Sequence, residues 1–236
     1  MTRPSSESMQ LNASNFLMAH QVSAGISDGL VEASLRLTAA LFPDEPGADA
    51  RLREAYNACI VGHNRIGILE TLSYSIYTVG REPDLHVVGA GGVYRLVEVS
   101  PNTQSILDVL RNKPPGSVSF LRNQVRSINE FVWGGRLCIE PLGASSPKIM
   151  PFIILHILST AQAIVRAGAM APVLLAFTRR NDNDRVKQFY DNLGFENTGA
   201  TLSYADEAQD VFCLNLDNDS PAMTRLKALI GRVSRG

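Results

Sequence analysis

The chain has 236 residues, of which 45 % are apolar and 19 % charged, and these fractions are typical of a soluble globular protein. The length suits one large domain, or a core with an added helical part. A formal net charge of −1 argues against non-specific binding to nucleic acid, because no excess of Lys and Arg is available to neutralise phosphates. The N-terminus lacks the basic and apolar segments of a signal peptide, and no run reaches about 18 apolar residues. We therefore expect a cytoplasmic protein without a membrane partner.

The N-terminal part is predicted to be largely helical. Residues 1–10 are polar and form a loose tail, and the pattern over 11–22 is weakly helical. Asp28 is placed to cap a helix over 28–41, and a second helix is predicted at about 49–60.

Early antiparallel strands are expected in residues 61–100. Runs rich in strand-forming residues occur at 75–79, 85–88 and 93–99, and glycines separate the last two at 89–92. These glycines do not form a GxGxxG motif and no helix follows them. They therefore predict a hairpin turn rather than a phosphate-binding loop.

The next stretch alternates helix and loop signals. Thr103 is placed to cap a helix over 104–111, and Pro114, Pro115 and Gly116 end it. A further helix is predicted within 118–132.

The central part of the chain has the pattern of a strand, a helix and a second strand. Residues 136–141 are a short apolar run, 151–167 carry one broad apolar helical face, and 171–178 are continuously apolar. Pro151 suits the first helical turn, and Gly168 suits the position after the last. We predict a βαβ unit with two parallel strands and a right-handed crossover.

Residues 183–199 (NDRVKQFYDNLGFENTG) follow this unit. Asn183 stands at the end of the strand-to-helix turn, and a small or apolar residue follows three places on. The aromatic pair Phe189 and Tyr190 comes next, and the segment closes with LGFE at 193–196 and a later glycine. In order and spacing it resembles the closing signature of the GNAT superfamily of N-acyltransferases. The predicted hairpin of 200–204 and 210–216, followed by a short helix within 221–233, agrees with the family order.

The resemblance implies an α/β (α+β) fold with a mixed central sheet and flanking helices, preceded by an N-terminal helical segment. It divides the chain into a tail and helical segment (1–70), an acyltransferase core (71–216) and a C-terminal tail or short helix (217–236). The N-terminal helices could form one wall of an acceptor pocket. An insertion at 100–133 would shape that pocket or contact a second subunit.

The activity implied by the resemblance is transfer of an acyl group from acyl-CoA, most simply acetyl-CoA, to an amine. The acceptor would be a small molecule or a protein, attacking directly in a ternary complex. Two alternatives stay open. One is a longer acyl-CoA or an acyl-carrier thioester as donor, and the other is a catalytically silent GNAT-like domain that binds a ligand or partner. Neither nucleic acid nor a metal is expected, and a homodimer is an open alternative.

Such a reaction needs a deprotonated amine, a polarised carbonyl and a proton for the departing thiolate. The resemblance implies that Tyr190 supplies this proton, although it could equally be a core aromatic residue. Glu140, at the end of the first strand of the βαβ unit, and Glu98 are rival general bases, and either could instead be a surface carboxylate. His86 and His156 rank lower, because His156 lies in an apolar helix and is expected to be hydrogen-bonded there.

The loop that would hold the CoA diphosphate departs from the family pattern. The IEP sequence at 139–141 fits its start, but residues 142–151 contain one glycine, Gly143, and Pro147 and Pro151 donate no N–H. The loop is therefore predicted to be degenerate and several residues longer, with hydroxyls and a lysine replacing backbone donors. The donor-binding residues that the resemblance implies are Ile139, Leu142, Gly143, Ser145, Ser146, Lys148, Asn183 and Tyr190. Asn183 would contact the pantetheine arm or cap the following helix.

Cysteine usage favours a reducing compartment. The three cysteines, Cys59, Cys138 and Cys213, are scattered and set in apolar runs. Buried free thiols are expected, and no Cys/His spacing predicts a metal site.

Overall fold

The computed structural model describes residues 6–10, 16–41, 50, 53–54, 56–57, 65–66, 69–80, 83–97, 101–112, 127, 130–134, 138–139, 146–168, 170–179, 184–204, 207–216, 223–225 and 227–228. The strands are β1 (Ser6–Gln10), β2 (Phe16–Gln21), β3 (Arg65–Ile66), β4 (Leu69–Val79), β5 (His86–Leu96), β6 (Val132–Gly134), β7 (Cys138–Ile139), β8 (Val173–Arg179), β9 (Glu196–Tyr204) and β10 (Glu207–Asn215). The helices are α1 (Asp28–Leu41), α2 (Pro101–Asn112), α3 (Ser146–Gly168) and α4 (Asp184–Asn192).

The strands form one mixed sheet in the order β1-β2-β4-β5-β6-β8-β10-β9, with β3 paired to β4 and β7 paired to β5. Neighbouring strands are antiparallel, except that β6 and β8 run parallel. Helix α3 is the crossover between the parallel strands β6 and β8. The predicted first strand of the βαβ unit, 136–141, contains β7, which pairs with β5, so the described parallel partner of β8 lies earlier in the chain than predicted. The predicted α/β fold with a mixed central sheet is confirmed.

Each face of the sheet carries its own helices. On one face, α1, α2 and Tyr56 pack in a single core cluster, and we call this the α1/α2 face. On the other, α3 and α4 contribute to two further clusters, and we call this the α3/α4 face. Alternate residues of β8 belong to the two layers, with Leu175 on the α1/α2 face and Leu174 and Ala176 on the other.

Before α1, the N-terminal residues form strands where a tail and a weak helix were predicted. Residues 6–10 and 16–21 form the antiparallel pair β1–β2, so the loose tail and the weak helix are wrong for these residues. Leu17 and Ala19 are buried, and β2 pairs with β4. Burial of every second residue is the pattern of a strand. Here it covers too few residues to distinguish a strand from a helix in the sequence alone.

Helix α1 has the predicted bounds, and the short segment after it packs against it. Residues 53–54 and 56–57 are helical. The buried Tyr56 hydroxyl lies 2.5 Å from Ser34 Oγ. On the exposed side Arg53 forms an ion pair with Glu32, and the hydrogen bond from Arg53 lowers the pKa of the Glu32 carboxyl.

The glycines at 89–92 lie inside a strand, so the predicted hairpin there is wrong. All four residues of this run are buried within β5, which pairs along its length with β4. A Cβ added at Gly92 would lie 2.5 Å from both Ser73 O and Tyr74 Cδ2, because the Tyr74 ring occupies that space. The turn between β4 and β5 comes earlier, where Gly80 has a φ of 103°.

Helix α3 begins earlier than predicted. It starts at Ser146, so Pro151 lies inside the helix instead of in its first turn, and the apparent lengthening of the preceding loop is wrong. Among the described residues, one helical segment, 149–168, is long and apolar enough to cross a membrane. Its residues Ile153, Leu158 and Ala161 are buried in the core clusters of the sheet.

The remaining elements mostly agree with the prediction. The helix expected at 104–111 is α2, the terminal hairpin is β9–β10, and residues 223–225 and 227–228 are helical. Of the helix predicted at 118–132, residues 118–126 and 128–129 lie outside the described part, and Val132 is the first residue of β6. Cys213 is buried, as expected, and Cys59 lies outside the described residues.

Candidate functional site

Strands β6 and β8 are paired at one end only. Val132 pairs with Leu174 and Trp133 with Leu175, while β8 continues to Arg179. The next described strand, β7, pairs with β5 instead, through Cys138 opposite Ala90 and Ile139 opposite Gly89. Within the described residues, the two parallel strands therefore meet at one end and are not paired beyond it.

The register on β5 changes at the same place. Val93 pairs with Gly134 and Ala90 with Cys138, so three steps along β5 correspond to four steps along the opposing chain. One extra residue on one strand is the property that defines a β-bulge, and it bends that strand. Within the described residues, the end of the β6–β8 pairing thus coincides with a one-residue difference between the registers of β6 and β7 on β5. We call the region beside β8 beyond Leu175, where it has no described parallel partner, the gap. A Cβ added at Gly134 would lie 4.0 Å from Ala176 Cβ, which shows that the strands are still adjacent there.

Tyr190 is held by the C-terminal cap of α4. Gly194 has a φ of 81°, in the left-handed region that favours glycine. The Phe195 N–H donates to Tyr190 O at 3.0 Å, and the Gly194 N–H donates to Asp191 O at 2.9 Å. These two bonds define a Schellman motif, and its expected apolar contact is present, since the Tyr190 and Phe195 ring centroids are 5.1 Å apart.

The cap places the Tyr190 ring against β10, level with the end of the described β6–β8 pairing. The ring stacks on Phe212 of β10, with centroids 4.9 Å apart and an interplanar angle of 14°. Phe212 pairs with Ala176, and Ala176 directly follows Leu175, the last residue of β8 paired with β6. Tyr190 therefore lies on the α3/α4 face over β10, the strand next to β8. Along the strands it is at the position where the described β6–β8 pairing ends.

The N-terminus of α3 follows the gap in sequence. Ser146 and Lys148 lie in its first turn, six positions or more after Ile139 of β7. The first turn of a helix presents backbone N–H groups and the positive end of the helix dipole, which suit a phosphate. Pro147 lacks an N–H, so it adds no donor to this turn.

Comparisons with known proteins support the architecture. No family model and no curated protein sequence matches this chain. A GCN5-related N-acetyltransferase (GNAT) from Brucella melitensis is similar in structure with a TM-score of 0.51 and 7 % identity, over 96 % of this chain and 86 % of that one. An uncharacterized protein from Bacillus halodurans has a TM-score of 0.53 and 9 % identity, over 96 % of this chain and 97 % of that one. The chain has the GNAT fold. At these identities the likeness concerns the fold alone.

Several of the predicted site residues of this GNAT fold lie outside the described part of the chain. They are Glu98, Glu140, Leu142, Gly143, Ser145 and Asn183. Their roles stay predictions, as does the role of Tyr190 as a proton donor. Among the described residues, no group of three or more His, Cys, Asp or Glu is arranged to hold a metal.

The two histidines considered from the sequence differ in their surroundings. His156 Nδ1 lies 3.0 Å from the Tyr77 hydroxyl, and the His156 ring stacks on Phe152 with centroids 6.3 Å apart. The predicted hydrogen-bonded histidine in α3 is confirmed. His86 is exposed at the start of β5.

One residue beside the gap was missed from the sequence. Trp133 is the residue of β6 paired with Leu175, and it is fully buried. The apolar run Phe131-Val132-Trp133 is the available signal, but the predicted helix within 118–132 includes its first two residues and leaves Trp133 unassigned. The pairing of this short run with β8 could not be inferred from its period, because three residues are too few to show one.

Proposed function

We propose that the protein is an acyl-CoA-dependent N-acyltransferase, with acetyl-CoA as the simplest donor, that transfers the acyl group directly to an amine in a ternary complex. The observation that supports this proposal is that, among the described residues, β6 and β8 are paired only as far as Trp133 and Leu175, while β8 continues to Arg179. A thioester arm needs an opening in the sheet, and the pairing of β7 with β5 is consistent with an opening on its β8 side.

On the donor side, an arm that carries amides can lie along a strand and bond to its main chain as an added strand does. β8 extends four residues beyond Leu175, from Ala176 to Arg179. The pantetheine arm would lie along this extension, and the first turn of α3, with Ser146 and Lys148, would receive the diphosphate.

On the chemical side, the proton donor in this proposal is Tyr190. A departing thiolate has a parent thiol pKa of about 8.5 and a phenol has a pKa of about 10, so a tyrosine close to the sulfur can donate a proton as the C–S bond breaks. An alkylammonium with a pKa of about 10.4 must lose a proton before it attacks. Glu98 and Glu140 are the candidate bases, directly or through one water.

The general test is binding followed by turnover. Acetyl-CoA is titrated calorimetrically into the protein, and free-thiol release is then followed with a panel of primary amines. The proposal predicts saturable binding and amine-dependent thiol release. No binding at millimolar acetyl-CoA would contradict it and would favour the silent binding domain.

The role of Tyr190 is tested by Tyr190→Phe. This change removes the hydroxyl and keeps the ring that stacks on Phe212 and contacts Phe195. We expect kcat to fall by about 10²-fold or more, with the Kd of acetyl-CoA unchanged. Tyr77→Phe is the matched control, because it also removes a phenol hydroxyl on the α3/α4 face, but one that contacts His156. Equal turnover in the two variants would exclude Tyr190 as the proton donor.

A further inference from the structure

Trp133 lies at the edge of the gap on the face opposite Tyr190. It belongs to the core cluster of the α1/α2 face, together with its partner Leu175. Its ring lies 6.1 Å from that of Phe177, with an interplanar angle of 57°. Because β6 and β8 are parallel, Phe177 lies two residues beyond Leu175 towards the gap. The ring next to the indole on the gap side is therefore that of Phe177.

The indole N–H of Trp133 is a buried donor that has no acceptor in the part of the chain that the structure describes. Trp133 is 0 % exposed, and no acceptor among the described residues bonds to its Nε1. Buried polar groups nearly always have a partner, because leaving one without a hydrogen bond costs stability. Such a donor next to an opening in the sheet suggests that its acceptor comes from a ligand.

The surroundings of Trp133 indicate what kind of ligand this is. The paired residue on β5 is Tyr94, which makes an edge contact with Tyr74 at 6.3 Å, and Tyr74 makes another with Tyr56 at 5.3 Å. This aromatic band and the rest of the cluster consist of apolar and aromatic side chains, and the band also carries the hydroxyls of its tyrosines. A ligand that reaches the indole from the gap therefore meets a mainly apolar surface that offers the indole N–H as a hydrogen-bond donor.

In the proposed function the acyl donor binds on the α3/α4 face, where Tyr190 and the first turn of α3 lie. The substrate that contacts Trp133 on the α1/α2 face is then the acceptor. We propose that Trp133 determines acceptor specificity by donating its indole N–H to an oxygen of an amine that has an apolar body. The apolar body packs against Phe177, whose half-buried ring moves aside on binding. This inference rests on the proposed N-acyltransferase function, of which it specifies the acceptor class.

The test uses two amines that differ by one oxygen-bearing group, phenylalaninamide and phenethylamine. Trp133 is the single tryptophan of the chain, so intrinsic tryptophan fluorescence reports on this residue alone. We expect phenylalaninamide to change the Trp133 emission and to bind about tenfold more tightly than phenethylamine in calorimetry, as one buried hydrogen bond allows. In Trp133→Phe, which keeps a ring and removes the N–H, that preference should disappear.

Phe177→Leu provides the control, because it alters the apolar wall and leaves the N–H in place. It should weaken both amines and retain the preference for phenylalaninamide. An affinity ratio that is the same in the wild type and in Trp133→Phe would overturn the proposal. So would the absence of any fluorescence change with either amine at millimolar concentration. Acetyl-CoA affinity, measured in the same samples, separates this outcome from failure of the proposed function, since Trp133→Phe should leave it unchanged.

Discussion

At the scale of single residues, the stretch from Tyr190 to Phe195 joins a helix end to the ring that the proposed chemistry uses. The Schellman bonds fix where α4 stops, and the contact between Tyr190 and Phe195 fixes the orientation of the phenol ring. Stacking on Phe212 then connects that ring to the strand next to β8. The LGF sequence, which carries the family resemblance, thus has a physical role in placing Tyr190.

Gly194→Ala should destabilise the protein by about 1–2 kcal/mol, because a Cβ is unfavourable in the left-handed conformation that Gly194 adopts. Urea denaturation measures the change. Gly29→Ala is the control: Gly29 lies in the first turn of α1, where an added Cβ would be 3.5 Å from Ser27 Oγ. Alanine is favoured over glycine in helices, so this variant should be neutral or slightly more stable. If the two variants have equal stability, the cap does not constrain α4 as described.

At the scale of elements, β5 is held in place by its pairing with β4, and β5 in turn positions the strands beside the gap. β5 contacts β4 on one side and both β6 and β7 on the other, so its register determines where β6 and β7 lie. The buried glycines of β5 allow the Tyr74 ring to lie against the backbone at Gly92. A strand can contain glycine where another group approaches closely.

Gly92→Ala should therefore cost about 1–3 kcal/mol, since the new Cβ would overlap Ser73 O and the Tyr74 ring. Gly134→Ala, on the neighbouring strand β6, is the comparison, because its Cβ would be 3.7 Å from Leu175 O, an ordinary contact distance. Thermal or urea denaturation of the two variants should show a clear loss for the first and a small change for the second. A well-tolerated Gly92→Ala would show that the Tyr74 ring is not held against β5.

These elements also show what the sequence could predict. The apolar runs at 136–141 and 171–178 and the helical face at 151–167 led to the βαβ unit, because burial on both faces leaves a continuous apolar pattern. The same reasoning failed for the glycines at 89–92, where the close approach of Tyr74 depends on a residue far away in sequence. It failed again at Pro151, since the helix tolerates a proline inside its second turn.

At the scale of the whole molecule, the sheet separates two layers of helices. α3 and the Tyr190 ring lie on one face and α1 and α2 on the other, and the described pairing of β6 with β8 ends at Trp133 and Leu175. In our proposal the donor binds on the first face and the acceptor on the second. The fold was predictable because the segment 183–199 and the βαβ order are local patterns. The site was less predictable, since Trp133 reaches the gap only through pairing with Leu175 and Tyr94, which come from distant parts of the chain.

The central claim, that the opening between β6 and β8 admits a thioester arm, is tested most directly by a crystal structure of the protein with bound coenzyme A. We predict that the pantetheine arm lies between β7 and the extension of β8, with the diphosphate at the first turn of α3 and the sulfur facing Tyr190. Coenzyme A bound elsewhere on the protein, or β7 and β8 closed against each other with no ligand between them, would contradict the account.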